Sequence, residues 1–148
     1  MDKIDIKLLK VLQRDAGLSV GVLAERVGLS KSACWRRLQK LEEAEVISGR
    51  VTLLNPEALG LKLTVFISIR TNAHNKVWSE QFRRVVLGLP GVLEVYRMGG
   101  DIDYLIKAVV EDMVGYDALY QRLIEADLFE VSASFVMETI KHTTELPL

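Results

Sequence analysis

Residues 19–43 read SVGVLAERVGLSKSACWRRLQKLEE. Their apolar residues fall into two short runs at helical spacing: Val22, Leu23 and Val27 in the first, and Cys34 or Trp35 with Leu38 and Leu41 in the second. Each run carries its own start signal, because Ser19 and Ser30 have the short hydroxyl side chains that cap helix N-termini. Gly28 suits the left-handed position that closes the first run. Only Leu29 and Ser30 are left between the two, so the stretch predicts two helices meeting at a tight turn, a helix-turn-helix. Upstream, Asp2 caps a further helix whose face is Ile4, Leu8, Leu9, Val11 and Leu12, ended by Asp15, Ala16 and Gly17. Within the third helix, from Lys31 to about residue 44, Trp35 is expected in the core, as a lone aromatic among leucines generally is. Cys34 is expected to be a small buried residue and not a thiol sensor.

Beyond Val46 and Ile47, residues 50–54 form a short β-prone run stopped by Asn55 and Pro56, expected as a wing and connector. After Gly60 the apolar period changes from 3.6 to 2: Leu61, Leu63, Val65, Ile67 and Ile69 alternate with polar residues, Phe66 being the one apolar residue on the second face. A helix follows over 75–89, with Val77 or Trp78, Phe82, Val85, Val86 and Leu89 inward, and Pro90-Gly91 stops it. Residues 92–98 and 104–110 read as strands joined by a turn at Gly99-Gly100-Asp101, 113–124 as a helix and 131–140 as a fourth strand. The order strand, helix, strand, strand, helix, strand is the ferredoxin-like βαββαβ arrangement, an antiparallel sheet with both helices on one face. The fold class is therefore α+β, with a helix-turn-helix domain over 1–50, a connector over 51–60 and a second domain over 61–148. One sheet face is left without helices; its apolar members, Phe66 and some of Val95, Ile106 and Val136, call for a partner subunit.

Composition narrows the function by exclusion. Of 148 residues 49% are hydrophobic and 26% charged, ordinary values for a soluble globular protein. No run approaches the ~18 apolar residues of a membrane span, and the opening MDKIDIKLLK lacks a signal-peptide core, so the chain reads as cytoplasmic. Cys34 is the only cysteine and His74 and His142 the only histidines, which argues against a metal site; no cofactor is expected. Phosphate-binding glycine loops, nucleophile elbows and paired histidine–carboxylate arrangements are absent, so an enzyme is not expected. The net charge of −1 conceals a division: residues 1–50 hold ten Lys and Arg against seven Asp and Glu, the remainder nine against thirteen. A basic head on an acidic body suits a polyanionic partner at the N-terminal end.

The third helix supplies what double-stranded DNA requires. Ser30, Lys31 and Ser32 lie at its N-terminus, where backbone N–H groups and the helix dipole favour a phosphate. Ser32, Arg36 and Lys40 form one exposed row with Arg37 alongside, and which arginine reads bases stays open.

Taken in order, Asp5-Ile6-Lys7-Leu8-Leu9, the segment from Leu23 to Ser30, Trp35-Arg36-Arg37-Leu38 with Leu41-Glu42, Gly100 with Asp103-Tyr104-Leu105, Ser134-Phe135, and the tail from Ile140 to Pro147 resemble the Lrp/AsnC family of transcription factors across essentially the whole chain. The resemblance implies a winged helix-turn-helix joined by a hinge strand to a sensing domain that dimerises through its sheet, dimers often assembling into octamers. It also implies an amino-acid effector bound where dimers meet. On that reading the backbone N–H groups of Gly99 and Gly100 hold an effector carboxylate, Asp101 or Asp103 pairs with its ammonium, and Ser134 is a lesser candidate. The competing reading is an amino-acid-binding module with no direct role on DNA, against which the basic helix-turn-helix argues.

Overall fold

Asp2, Ser19 and Ser30 each start a helix. In the computed structural model, which describes residues 1–148, these are α1 (Lys3–Leu12), α2 (Val20–Val27) and α3 (Lys31–Glu43). The Asp2 carboxylate accepts from the backbone N–H of Ile4 and Asp5, and the Asp5 carboxylate accepts in return from the Asp2 N–H at 2.8 Å, a reciprocal cap. Ser19 and Ser30 accept from the N–H of Val22 and Ala33. Gly28 closes α2 at φ +73°. The core beneath is Leu8, Leu9, Leu23, Ala24, Val27, Cys34, Leu38 and Leu41.

Three expectations change here. Trp35 is not core: it is 51% exposed, whereas Cys34 is fully buried. With Leu38 and Leu41 fixed inward, residue 34 lies four and seven positions away on the same face and residue 35 is rotated by about 100° from it. On α2 Leu23 and Val27 face inward as expected, but the third inward residue is Ala24, and Val22 faces outward at 40% exposure. Residues 50–54 form no strand: no neighbouring segment pairs with them, and Val51, Leu53 and Leu54 are exposed.

Residues Met1–Leu53 together with Ile140–Leu148 make one compact unit, and Leu54–Thr139 the other. The tail is held on the end of α1. Leu146 N–H donates to Gln13 Oε1 at 2.5 Å, Gln13 Nε2 donates to Leu146 O at 3.3 Å, and Arg14 pairs with Glu145 at 2.8 Å. A cleft of about 600 Å³ beside it is lined by Leu9, Leu12, Val46, Ile47 and Leu53 as well as Leu146.

The second unit runs β1 (Leu63–Arg70), α4 (Lys76–Leu87), β2 (Val92–Arg97), β3 (Tyr104–Val110), α5 (Met113–Leu123) and β4 (Glu130–Phe135). The four strands form one antiparallel sheet in the order β2-β3-β1-β4, the ferredoxin-like topology. Alternation decides what each face carries. Val65, Ile67, Ile69, Ile106 and Ala108 are fully buried and share a core with Trp78, Phe82, Val86, Leu119 and Leu123 of the helices. Val95 and Ile106 belong to this covered face, not to the open one. The open face carries Phe66, Leu105 and Tyr96, and there Lys107 pairs with Glu94 at 2.9 Å. Trp78 faces inward, stacks on Phe82 at 5.1 Å and donates its indole N–H to Asp127 O. β4 ends at Phe135, short of the expected residue 140, because β1 begins at Leu63 and offers nothing to pair with beyond the Val136 N–H to Thr64 O bond.

Candidate nucleic-acid interface

α3 presents its functional side chains because its apolar residues occupy one side only. Ser32, Arg36 and Lys40 are exposed and, four residues apart, line up over about 12 Å of helix. Lys31 is exposed at the first position, and the Ser30 and Ser32 hydroxyls lie 3.3 Å apart at the helix start. None of Lys31, Arg36 and Lys40 forms an ion pair within the chain, so all three charges face solvent. That is the electrostatic requirement for neutralising phosphates.

Arg37 differs from its neighbours. Its Nη1 lies 2.7 Å from Asp2 Oδ2 and 2.7 Å from Asp5 Oδ1, so it ties the middle of α3 to the capped start of α1 and is not the free cation expected beside Arg36. Asp2 is held down to a pKa of about 2 by the Asp5 backbone N–H and by this guanidinium. A groove of about 710 Å³ runs alongside, lined by Asp2, Arg36, Arg37 and Lys40 among others. Asp2 was legible as the cap of α1, but nothing in the sequence pairs it or Asp5 with a residue over thirty positions away. Cys34 lies beneath, its thiol pKa pushed up by burial, which suits an inert packing residue.

The candidate effector turn lies between β2 and β3. Gly100 takes φ +133°, Asp101 is exposed, and the N–H groups of Gly99, Gly100 and Asp101 make no hydrogen bond within the chain. Asp103 is engaged: its Oδ2 accepts from Thr71 N–H at 2.8 Å, its own N–H reaches Ile69 O, and its carbonyl accepts from Met98 N–H. Arg70 Nε donates to Asp101 O at 2.7 Å and Arg70 also pairs with Glu130, so the end of β1 braces the turn. Neither Arg70 nor Thr71 carries a local sequence signal for this role, since both contacts span more than thirty residues. Ser134 is exposed on the edge strand opposite Phe66, four residues or about 13 Å along β4 from Glu130, and is not gathered with the turn.

Comparison with known proteins agrees with both units. A winged helix-turn-helix DNA-binding family model matches residues 1–48, and the Lrp/AsnC ligand binding domain model matches residues 64–146. The chain is 47% identical to the DNA-binding transcriptional activator DecR of Escherichia coli, covering 100% of this chain and 99% of that protein. It superposes on the crystal structure of an AsnC family transcriptional regulator from Agrobacterium tumefaciens with a TM-score of 0.94 at 51% identity, over 99% of this chain and 97% of that one. It also superposes on the L-Met complex of a transcriptional regulator from Neisseria meningitidis, with a TM-score of 0.93 at 38% identity over 99% and 96%. No helix is long and apolar enough to cross a membrane. A solvent-facing cationic row on the second helix of a helix-turn-helix, with an α+β ligand-binding domain in the same chain, places this protein in the Lrp/AsnC family of DNA-binding transcription regulators.

Proposed function

We infer that this chain is a cytoplasmic regulator of amino-acid metabolism that recognises a specific operator through α3 and changes its DNA affinity, or its assembly, when an amino acid binds the 99–103 turn. The observation that carries the DNA reading is the row of Ser32, Arg36 and Lys40 with Lys31, exposed and free of ion pairs. Two such heads in a dimer meet successive major grooves about 34 Å apart, or multiples of that, so assembly and operator fit are coupled. The turn offers three uncommitted N–H groups for an effector carboxylate and the exposed Asp101 for its ammonium, with Asp103 supplying charge while holding β1 through Thr71. The L-Met complex of the Neisseria relative supports an amino acid as the ligand class.

The test is duplex binding across a salt series. Arg36→Ala and Lys40→Ala should each reduce the slope of log affinity against log salt by about one while leaving the protein folded. Retention of ligand but not of duplex would assign the chain to the amino-acid module without a DNA role. Asp103→Asn keeps an acceptor for Thr71 but removes the charge. It should bind DNA as the parent does and lose its response to the amino acid that shifts the parent; an unchanged response removes the turn from the effector site.

A further inference from the structure

Trp35 is a large apolar side chain left half in water on the helix that carries the DNA-facing cations. It lies in the fifth residue of α3, one turn from Lys31, and lines a shallow surface groove with Val20 at the start of α2, Lys31 and Ser32. Its exposure does not follow from an overfilled core, since Cys34 occupies the neighbouring inward position and is fully buried. No ring of this chain stacks on it. The N-terminal turns of such a recognition helix are the part that meets base edges. In the major groove the most prominent apolar feature is the 5-methyl group of thymine, and the phosphates on either side are the complement of Lys31, Arg36 and Lys40.

We propose that Trp35 is a specificity-determining residue that packs its indole on the 5-methyl of a thymine in each operator half-site. The inference rests on the reading of α3 as the DNA-binding helix and adds a base to it. Val20 and the aliphatic stem of Lys31 form the other walls of the methyl's pocket.

The experiment uses the full chain and a duplex pool with a randomised centre, selected by the parent and by Trp35→Ala. Selection by the parent should return an invariant thymine in each half-site. Replacing that thymine by deoxyuridine, which removes the methyl and nothing else, should weaken the parent about fourfold, the factor for one buried carbon at ~0.8 kcal/mol. The same replacement should leave Trp35→Ala unchanged and retain most of its effect in Trp35→Phe. Because the side chain is half exposed, both variants should melt as the parent does. An equal uracil penalty in Trp35→Ala, or sequence-selective binding with no preferred thymine, overturns the proposal while leaving the DNA reading intact. A change of assembly state in Trp35→Ala without any change in the uracil penalty also overturns it, by assigning the indole to a protein contact. A parent that selects no sequence at all overturns both readings.

Discussion

At the scale of single residues, adjacent arginines on one helix do different work. Arg36 faces solvent; Arg37, 31% exposed at the side chain, is spent on Asp2 and Asp5. Removing both at once would confuse a lost DNA contact with a loosened head. Arg37→Met should lower the melting temperature at neutral pH, and Arg36→Met should not, as thermal scans of the two variants would show. The Asp2 partnership also has a pH signature. Its pKa drops from the ordinary 3.8 to about 2, so its contribution is complete above the ordinary value and is lost as pH falls towards the depressed one. The melting difference between the parent and Asp2→Asn should hold constant above about pH 5 and shrink between about 4 and 2. A gap that persists at the acid end would separate Asp2's charge from its role. This layer was only partly legible in sequence. Helical spacing exposed Arg36 and Lys40 correctly, but the pairing that captures Arg37 is tertiary, and the preference for burying an aromatic misplaced Trp35 against the stricter geometry of Leu38 and Leu41.

At the scale of elements, capping residues and apolar period located all five α-helices and all four strands, because those signals are local. The failures came where an element needs a distant neighbour: residues 50–54 have strand composition but no pairing segment, and β4 stops where β1 runs out. Glycines make the local logic testable. Gly21 lies inside α2 with ordinary helical backbone, and a Cβ there would meet only the Ser19 hydroxyl at 3.8 Å. Gly21→Ala should therefore stabilise the helical unit by roughly 0.5–1 kcal/mol. Gly91 sits at φ +84°, and a Cβ there would lie 2.5 Å from the Val109 carbonyl oxygen, whose own N–H donates to Gly91 O. Gly91→Ala should destabilise the sheet unit by at least about 1–2 kcal/mol, the left-handed penalty before the clash is added. Chemical denaturation of the two variants should move in opposite directions; like signs would contradict the backbone geometry.

At the scale of the whole molecule, the ferredoxin-like sheet is covered on one face only. Phe66, Leu105 and Tyr96 remain on the other, around the Lys107–Glu94 pair. The occupant we infer is a second copy of the chain. A charge at Phe66 would meet its own copy or its near neighbours across a two-fold axis. Phe66→Glu should raise the dimer dissociation constant at least about tenfold in sedimentation over a concentration series, and an unchanged constant would move the interface off this face. The alternation of β1 made Phe66 readable in advance, whereas the sequence leaves open which of Val95, Ile106 and Val136 join it, because strand parity depends on registers that only pairing fixes; Val95 and Ile106 lie on the covered side.

The tail carries a practical consequence. Residues Ile140–Leu148 are counted with the helix-turn-helix, hooked to Gln13 and Arg14, although the chain reaches them only after completing the sheet. A fluorophore, affinity handle or fusion partner joined after Leu148 is thus mounted on the DNA-reading end. It reports that end's motion and crowds that end's approach to a duplex. A probe meant to follow the ligand-binding unit belongs in a loop of that unit, and a protease nick near residue 54 would cut the three helices from the peptide chain that leads to their tail and leave the tail gripping them through Gln13 and Arg14.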